Sequence, residues 1–146
     1  MITTKTGNYF ESKIRRSGVL EDGTEAKLNE LYAVSASTFT DCEAKIIGFV
    51  SQFAKGDIDV LTEVRAKYKE VFLSGNADED AFYKVQVAFI TLDEVSQKEK
   101  KQKVTYLVQG NSVESAKRNT DEVMSQSMVD YKIVSVGECA VIDIVD

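Results

Sequence analysis

The sequence predicts an α+β protein made of a tandem ββαβ repeat, in which antiparallel sheet packs with two helices around a pseudo-twofold axis. Apolar, aromatic and turn positions recur after a shift of about 73 residues. Two segments with helical spacing each lie between segments of strand-like composition. We therefore expect a single compact domain, 1–146, with repeats at about 9–73 and 82–145 joined by an acidic linker at 75–80. The alternative is a chance alignment of two short ββαβ patterns, because the halves share few identities.

The recurrence involves residues of matching size and polarity rather than identical residues. The matched segments are Tyr9-Phe10 with Phe82-Tyr83, Ile14 with Val87, Tyr32-Ala33-Val34 with Tyr106-Leu107-Val108, and Val71 with Ile144. One ββαβ unit leaves a face of its sheet or helix uncovered, so we expect the two halves to bury these faces against each other.

The first half begins with a predicted hairpin. Residues Tyr9 to Arg16 have strand character, Gly18 to Gly23 carry turn residues, and Asn29 to Ser35 form the returning strand. A helix should follow, because Thr40 and Glu43 match a capping box in which each side chain bonds a free amide of the first turn.

This first helix should bury one apolar face and end at Lys55-Gly56. Its expected inner positions are Ile46, Ile47, Val50 and Phe53. The next segment, Asp57 to Phe72, fits either a helix or a strand. We choose a strand, because its repeat partner, Asp130 to Val145, is rich in valine and isoleucine.

The second half repeats this order after the linker. Strands are predicted at Phe82 to Leu92 and Lys103 to Gln109, and a helix is expected to begin near Asn111 or Ser112. Its inner face should contain Ala116, Thr120, Val123, Met124 and Ser127. Gly137 interrupts the last strand and predicts a bulge or bend there.

Composition excludes several classes of function. The chain has no histidine, so it contains no Ser-His-Asp or Cys-His centre and no histidine-ligated metal. It also lacks proline and the glycine-rich phosphate-loop motifs. The net charge of -6 disfavours nonspecific binding to nucleic acid. Cys42 and Cys139 are expected to be small buried side chains rather than a disulfide or a metal site.

The chain contains no apolar run long enough to span a bilayer, and its first residues lack the apolar stretch of a secretory signal. These features predict a protein of the cytoplasm that does not contact membranes.

One basic segment stands out in this acidic chain. On a continuous strand, Arg65, Lys67 and Lys69 would project from one side and Tyr68 from the other. They predict an anion site for phosphate or a nucleotide-type ligand, extended by Arg15 and Arg16 of the first hairpin. The alternative is a solvated strand face whose lysines discourage edge pairing.

Other charged and aromatic groups have simpler explanations. Lys98, Lys100, Lys101 and Lys103 fit a solvated hairpin tip or a polyanion contact. The recurring tyrosines fit buried rings with exposed hydroxyls, or stacking on a base. The pairs Asp57 with Asp59 and Glu21 with Asp22, and the run from Asp78 to Asp80, fit turns better than a cation or acid-base site.

Several of these segments together resemble a known family, the domain of unknown function 4494 of gut Bacteroidota, their mobile elements and their phages. The segments that carry the resemblance are Tyr9 to Arg15, Phe39-Thr40 with Glu43-Ala44, Arg65 to Tyr68, Phe89 to Glu94 and Asp130 to Ile133. The resemblance covers nearly the whole chain and transfers no activity or site. It implies a bacterial or phage protein that works in the bacterial cytoplasm.

The function predicted from the sequence is non-enzymatic, cofactor-free binding of a small anionic nucleotide-type ligand by Arg15, Arg65, Lys67, Lys69 and Tyr68. A phage-encoded protein of this kind could sequester a nucleotide signal. The alternative is a protein–protein interaction module, such as an inhibitor or assembly accessory protein. A third hypothesis is a metal-dependent hydrolase using Asp57 and Asp59. Paired surfaces are typical of homo-oligomers, so we also expect a homo-oligomer.

Overall fold

A computed structural model describes residues 2–146, which form an α+β fold of nine strands and two helices. The strands are β1 (Thr3–Thr6), β2 (Tyr9–Val19), β3 (Glu25–Ser35), β4 (Ile58–Arg65), β5 (Glu70–Leu73), β6 (Ala81–Leu92), β7 (Glu99–Gly110), β8 (Asp130–Cys139) and β9 (Val141–Val145). The helices are α1 (Phe39–Val50) and α2 (Val113–Met124). The predicted fold class is confirmed.

The strands form two mixed sheets, with orders β4-β2-β3-β9 and β1-β5-β7-β6-β8. Most of the strand pairing is antiparallel, as predicted, but β9 pairs with β3, and β5 with β7, in parallel. A tight hairpin turn forces its two strands to run antiparallel, whereas β5 and β9 reach their neighbours after longer connections and are free of that constraint.

Contacts divide the chain into two compact units. The α1 unit contains residues 7–67 and 140–146, and the α2 unit contains residues 2–6 and 68–139. These bounds differ from those of the predicted repeats, because β5 belongs to the α2 unit and β9 to the α1 unit. The expected linker, 75–80, lies inside the α2 unit, where Glu79 is buried. The ββαβ repeat, its pseudo-twofold axis and the single-domain organisation stay predictions.

Each unit has its own hydrophobic core between a helix and one face of a sheet. In the α1 unit the core side chains are Phe10, Ile14, Tyr32, Val34, Ala36, Cys42, Ile46, Val50 and Val145. In the α2 unit they are Phe72, Tyr83, Val85, Val87, Tyr106, Val108, Ala116 and Met124. The predicted helix faces are thus partly confirmed, but Ile47, Phe53 and Ser127 are exposed.

The start of α1 differs from the prediction. Thr38, not Thr40, is the N-cap, and its hydroxyl accepts a hydrogen bond from the Asp41 amide at 3.0 Å. Asp41 accepts in turn from the Ser37 amide at 3.2 Å. The side-chain and backbone bonds therefore form two residues earlier than predicted, and they use an aspartate, a shorter carboxylate than the predicted Glu43. Helix α2 begins where predicted, after its N-cap Ser112.

The segment 57–72 is largely strand, as predicted, but it forms two strands rather than one. β4 ends at Arg65 and β5 begins at Glu70 in the other sheet. Gly137 does not mark a bulge, since β8 pairs regularly with Lys84 there. The register shift in β8 lies instead at Val134, between the partners of Gln86 and Val87. No helix within residues 2–146 has the length and apolar character needed to cross a membrane.

Candidate ligand-binding groove

A groove of about 540 Å³ lies in the α1 unit, between the end of the β2–β3 hairpin and the turn that follows α1. It is lined by Arg16, Ser17, Gly18, Val19, Glu25, Phe53, Ala54, Lys55 and Gly56. Gly56 adopts φ +90°, which favours glycine and lets the chain reverse between α1 and β4. At Gly18 a Cβ would be in steric conflict with Leu28 Cδ1, so a larger residue there would displace the end of the Leu28 side chain.

Arg16 is held in a fixed position beside the groove. Its Nε donates to Glu30 Oε1 at 2.6 Å and its Nη2 to Glu30 Oε2 at 3.2 Å. Its Nη1 donates to the Ser17 carbonyl oxygen at 3.2 Å. Tyr32 donates its hydroxyl hydrogen to the same Glu30 at 3.1 Å, and burial together with this carboxylate raises the pKa of Tyr32. The guanidinium is therefore pre-oriented by bidentate bonding before any ligand arrives.

Phe53 supplies an aromatic wall to the groove. Its ring is 51% exposed and lies under the Arg16 guanidinium carbon, which is 5.1 Å from the ring centroid. The Phe49 ring contacts it edge-on, with centroids 5.6 Å apart. A half-exposed phenylalanine held between an arginine and a second ring is a stacking surface for planar ligands.

The groove has a mixed charge. Lys55 lines it, and Lys27 adjoins it by donating from Nζ to Ser17 Oγ at 3.2 Å. Glu25 is the acidic lining residue, while Glu30 neutralises Arg16 through the paired bonds described above. The two lysines therefore supply the charge that would attract an anion, and Arg16 with Phe53 supplies flat surfaces.

The sequence-predicted residues Arg15 and Arg65 are not neighbours. Arg65 pairs with Phe10 on β2 and Arg15 with Asp59 on β4, which separates them by about 16 Å along the strand. The Arg65 guanidinium lies over the rings of Phe10 and Phe39, at 5.0 and 5.1 Å from their centroids. Arg15 is exposed and donates from Nε to Asn29 Oδ1 at 3.1 Å.

Lys67, Tyr68 and Lys69 do not extend the strand that carries Arg65. They lie in the break between β4 and β5, so the predicted single strand face does not form. Lys67 ends one segment of the α1 unit, whereas Tyr68 and Lys69 begin a segment of the α2 unit. Both lysines are exposed, but Tyr68 is 1% exposed, with Lys84 Nζ 5.9 Å from its ring centroid. A ring buried to this extent offers no surface for stacking.

The remaining candidates occupy ordinary positions. Lys98 lies in the β6–β7 turn, while Lys100, Lys101 and Lys103 lie within β7. Cys42 is buried, and burial raises the pKa of its thiol to about 11. Cys139 is partly buried, and both cysteines are free thiols. Within residues 2–146 no group of three or more Cys, Asp or Glu side chains is arranged to hold a metal ion.

Sequence reasoning missed the roles of Phe53 and Lys55. It assigned Phe53 to the buried face of α1 and Lys55 to the end of that helix. The helix stops at Val50, so both residues lie on the turn beyond it. The sequence did contain a sign that Phe53 lies beyond the helix, because the apolar stripe of α1 extends past Val50 towards Gly56.

The fold and the groove define a small α+β protein with a mixed-sheet core in each unit and an open surface groove. The chain belongs to the domain of unknown function family DUF4494, whose sequence model matches residues 8–146. No curated protein and no solved structure matches the chain.

Proposed function

We propose that this protein is a non-enzymatic binding protein that holds a small anionic nucleotide-type ligand in the groove between the β2–β3 hairpin and the turn after α1. The observation that carries this proposal is the Arg16 guanidinium fixed over the half-exposed Phe53 ring. The groove volume of about 540 Å³ lies within the range of small-molecule sites.

The chemistry of the groove supports a ligand with a flat part and a charged part. A nucleobase can stack on an aromatic ring or on a guanidinium plane, and neither contact requires a particular base. A phosphate can bond the ammonium groups of Lys55 and Lys27, which approach the groove from two elements. The biological role that we propose is sequestration of a nucleotide signal in the bacterial cytoplasm by a phage-encoded protein. It rests on the family resemblance noted from the sequence.

Calorimetric titration with cyclic dinucleotides, cyclic mononucleotides and ADP-ribose-type nucleotides tests the proposal. We expect one of these classes to bind, and we expect Phe53→Ala to weaken its binding by about 10-fold or more, as stacking contacts usually do. Lys55→Ala should also weaken binding, whereas Lys98→Ala, an exposed lysine of the α2 unit, should not. Absence of heat from every class of nucleotide would contradict the proposal.

Arg65→Ala in the same titration separates the groove from the site predicted by sequence. Loss of binding in Arg65→Ala with normal binding in Phe53→Ala would place the ligand near Phe10 and Phe39 instead. Circular dichroism of each variant checks that the fold is retained.

The second candidate is a protein–protein interaction module. The observation that favours it is the apolar surface of β4, where Val64 is 58% exposed and Leu61 39% exposed. Affinity capture from host lysate tests it. We expect a stoichiometric partner that wild type retains and Val64→Asp loses.

A further inference from the structure

β4 is an outer strand of its sheet. Its pairing within residues 2–146 is with β2, which leaves its other edge available for a further strand. The Ala66 amide donates to the Tyr9 carbonyl oxygen at 2.9 Å, so these two residues form a hydrogen-bonded pair. Hydrogen-bonded and non-hydrogen-bonded pairs alternate along an antiparallel ladder. Glu63 and Arg65 therefore belong to the positions whose N–H and C=O groups point away from β2.

A second groove, of about 360 Å³, runs beside this edge. It is lined by Phe39 and Glu43 of α1 and by Val60, Leu61, Thr62 and Glu63 of β4. Neither Glu43 nor Glu63 forms an ion pair with any residue that the structure describes. The pKa of Glu63 is raised, first by burial and then by the neighbouring carboxylate of Glu43. The groove thus presents two carboxylates, Glu43 and Glu63, that form no ion pair with the described lysines and arginines.

Ser12 is a second polar group close to Glu63 that has no partner within residues 2–146. Its hydroxyl oxygen is fully buried and has no hydrogen-bond partner among the described residues. Ser12 lies directly opposite Glu63 on β2, in one of the non-hydrogen-bonded pairs, where side chains approach most closely. Buried hydroxyls in proteins normally have a partner, so Ser12 leaves hydrogen-bonding capacity opposite Glu63 that the described residues do not use.

We propose that β4 and the Glu43–Glu63 groove bind an extended segment of a partner protein, which adds as a strand to β4 and places a lysine or arginine between the two carboxylates. Charge complementarity selects a basic residue at that position, and the exposed Leu61 and Val64 select apolar residues beside it. Strand addition obtains affinity from backbone bonds and specificity from alternate side chains. This inference specifies the partner chemistry of the second candidate function and is independent of the groove at Arg16.

The test uses a capped, fluorescently labelled peptide of alternating valine and lysine, with a valine–glutamate peptide for comparison. We expect the full-length protein to bind the lysine peptide, and the double variant Glu43→Gln with Glu63→Gln to weaken that binding by at least 10-fold. The matched control is Glu114→Gln with Glu122→Gln, two exposed glutamates of α2. It changes the net charge equally and should alter binding less than twofold. Equal losses in the two double variants, equal binding of the glutamate peptide, or no binding of the lysine peptide would overturn the proposal.

A backbone variant tests strand addition itself. Arg65→Pro removes the outward N–H of the edge without removing a bond to β2, whereas Arg65→Ala keeps it. We expect Arg65→Pro to abolish peptide binding and Arg65→Ala to retain it within about threefold. If Arg65→Pro fails to fold, hydrogen exchange in wild type decides the question, since added strand bonds must protect the Glu63 and Arg65 amides. Unprotected amides in the peptide complex would overturn the proposal, while lysate capture would still test the second candidate by itself.

Discussion

The two helices differ in the polar side chains that they bury, since α2 buries Ser115, Asn119 and Thr120 whereas the buried residues of α1 are Cys42, Ile46 and Val50. In the α2 unit, Asn119 is buried and its amide donates to both Glu79 oxygens, at 3.2 and 3.1 Å, and to the Gln109 carbonyl oxygen at 2.9 Å. The Gln109 side chain donates to the Glu79 carbonyl oxygen at 2.6 Å and accepts from the Ser74 amide at 2.9 Å. This network attaches the acidic segment 75–80 to the helix and to β7.

Among the described residues, helix α1 takes part in no comparable buried network. The buried side chains of α1 are Cys42, Ile46 and Val50. Charged side chains of the α1 unit line two surface grooves. Polar groups that satisfy one another inside the α2 unit stabilise a loop, whereas Glu43 and Glu63 at the second groove of the α1 unit have no ion-pair partner among the described residues.

The largest expected effect comes from breaking the buried network of the α2 unit. Asn119→Ala should lower the free energy of unfolding by about 3 kcal/mol, because it leaves the buried Glu79 carboxylate without its donor. Denaturant unfolding measures this change. The control is Asn111→Ala, an exposed asparagine just before α2, which should change stability by less than about 0.5 kcal/mol. Equal losses in the two variants would show that the network does not stabilise the fold.

The closed core of the α1 unit can be tested by thiol chemistry. With a thiol pKa of about 11, Cys42 should be roughly 100-fold less ionised at pH 8 than an ordinary cysteine, and burial slows it further. We expect iodoacetamide to modify Cys139 first and Cys42 only after denaturation, as read by peptide mass spectrometry. Rapid labelling of Cys42 in the native protein would show that the helix–sheet interior of the α1 unit opens readily.

A matched pair of serine variants sharpens the comparison between the units. Ser12→Ala should raise the free energy of unfolding by about 1 kcal/mol, because it removes a buried hydroxyl without a partner. Ser115→Ala should lower it by about 1 kcal/mol, because Ser115 accepts from the Asn111 and Ser112 amides in the capping box of α2. Thermal and chemical unfolding measure both. Changes of the same sign would contradict the difference drawn between the units.

The smallest effect concerns the pH dependence of the α1 unit. The pKa of Glu63 is higher in the folded protein than in the unfolded chain. At pH values between the two pKa values, the folded protein therefore keeps a proton on Glu63 that the unfolded chain has lost. The free energy of unfolding therefore falls as the pH rises through that window, and the full loss of stability is present above the raised pKa. Glu63→Gln should increase stability at pH 7 by about 0.5 kcal/mol and have no effect near pH 3. A gain that is the same at both pH values would rule out ionisation as its cause.

Much of the fold could be predicted from local sequence. The alternation in Tyr9 to Arg16 and Phe82 to Leu92 identified β2 and β6, and the serine before α2 located its start. The spacing of Ile46 and Val50 identified the buried face of α1. These features depend on neighbours within a few residues, so the chain carries them locally.

The candidate site was harder to predict. Arg65, Lys67 and Lys69 formed a convincing pattern, but the strand ends at Arg65 and the chain continues into the other sheet. Arg16 and Phe53 lie far apart in sequence, and no periodicity connects them. Their contact exists because the hairpin end and the turn after α1 meet above the sheet of the α1 unit.

The amino-acid sequence by itself determined the α+β class, most elements and the absence of histidine chemistry, since composition and short-range periodicity contain that information. Only the tertiary structure decided that β5 and β9 pair in parallel, that Glu79 is buried, and that Arg16 lies over Phe53. The physical reason is that these contacts join residues that are distant along the chain. Their free energy depends on which strands become neighbours, and no local pattern specifies that.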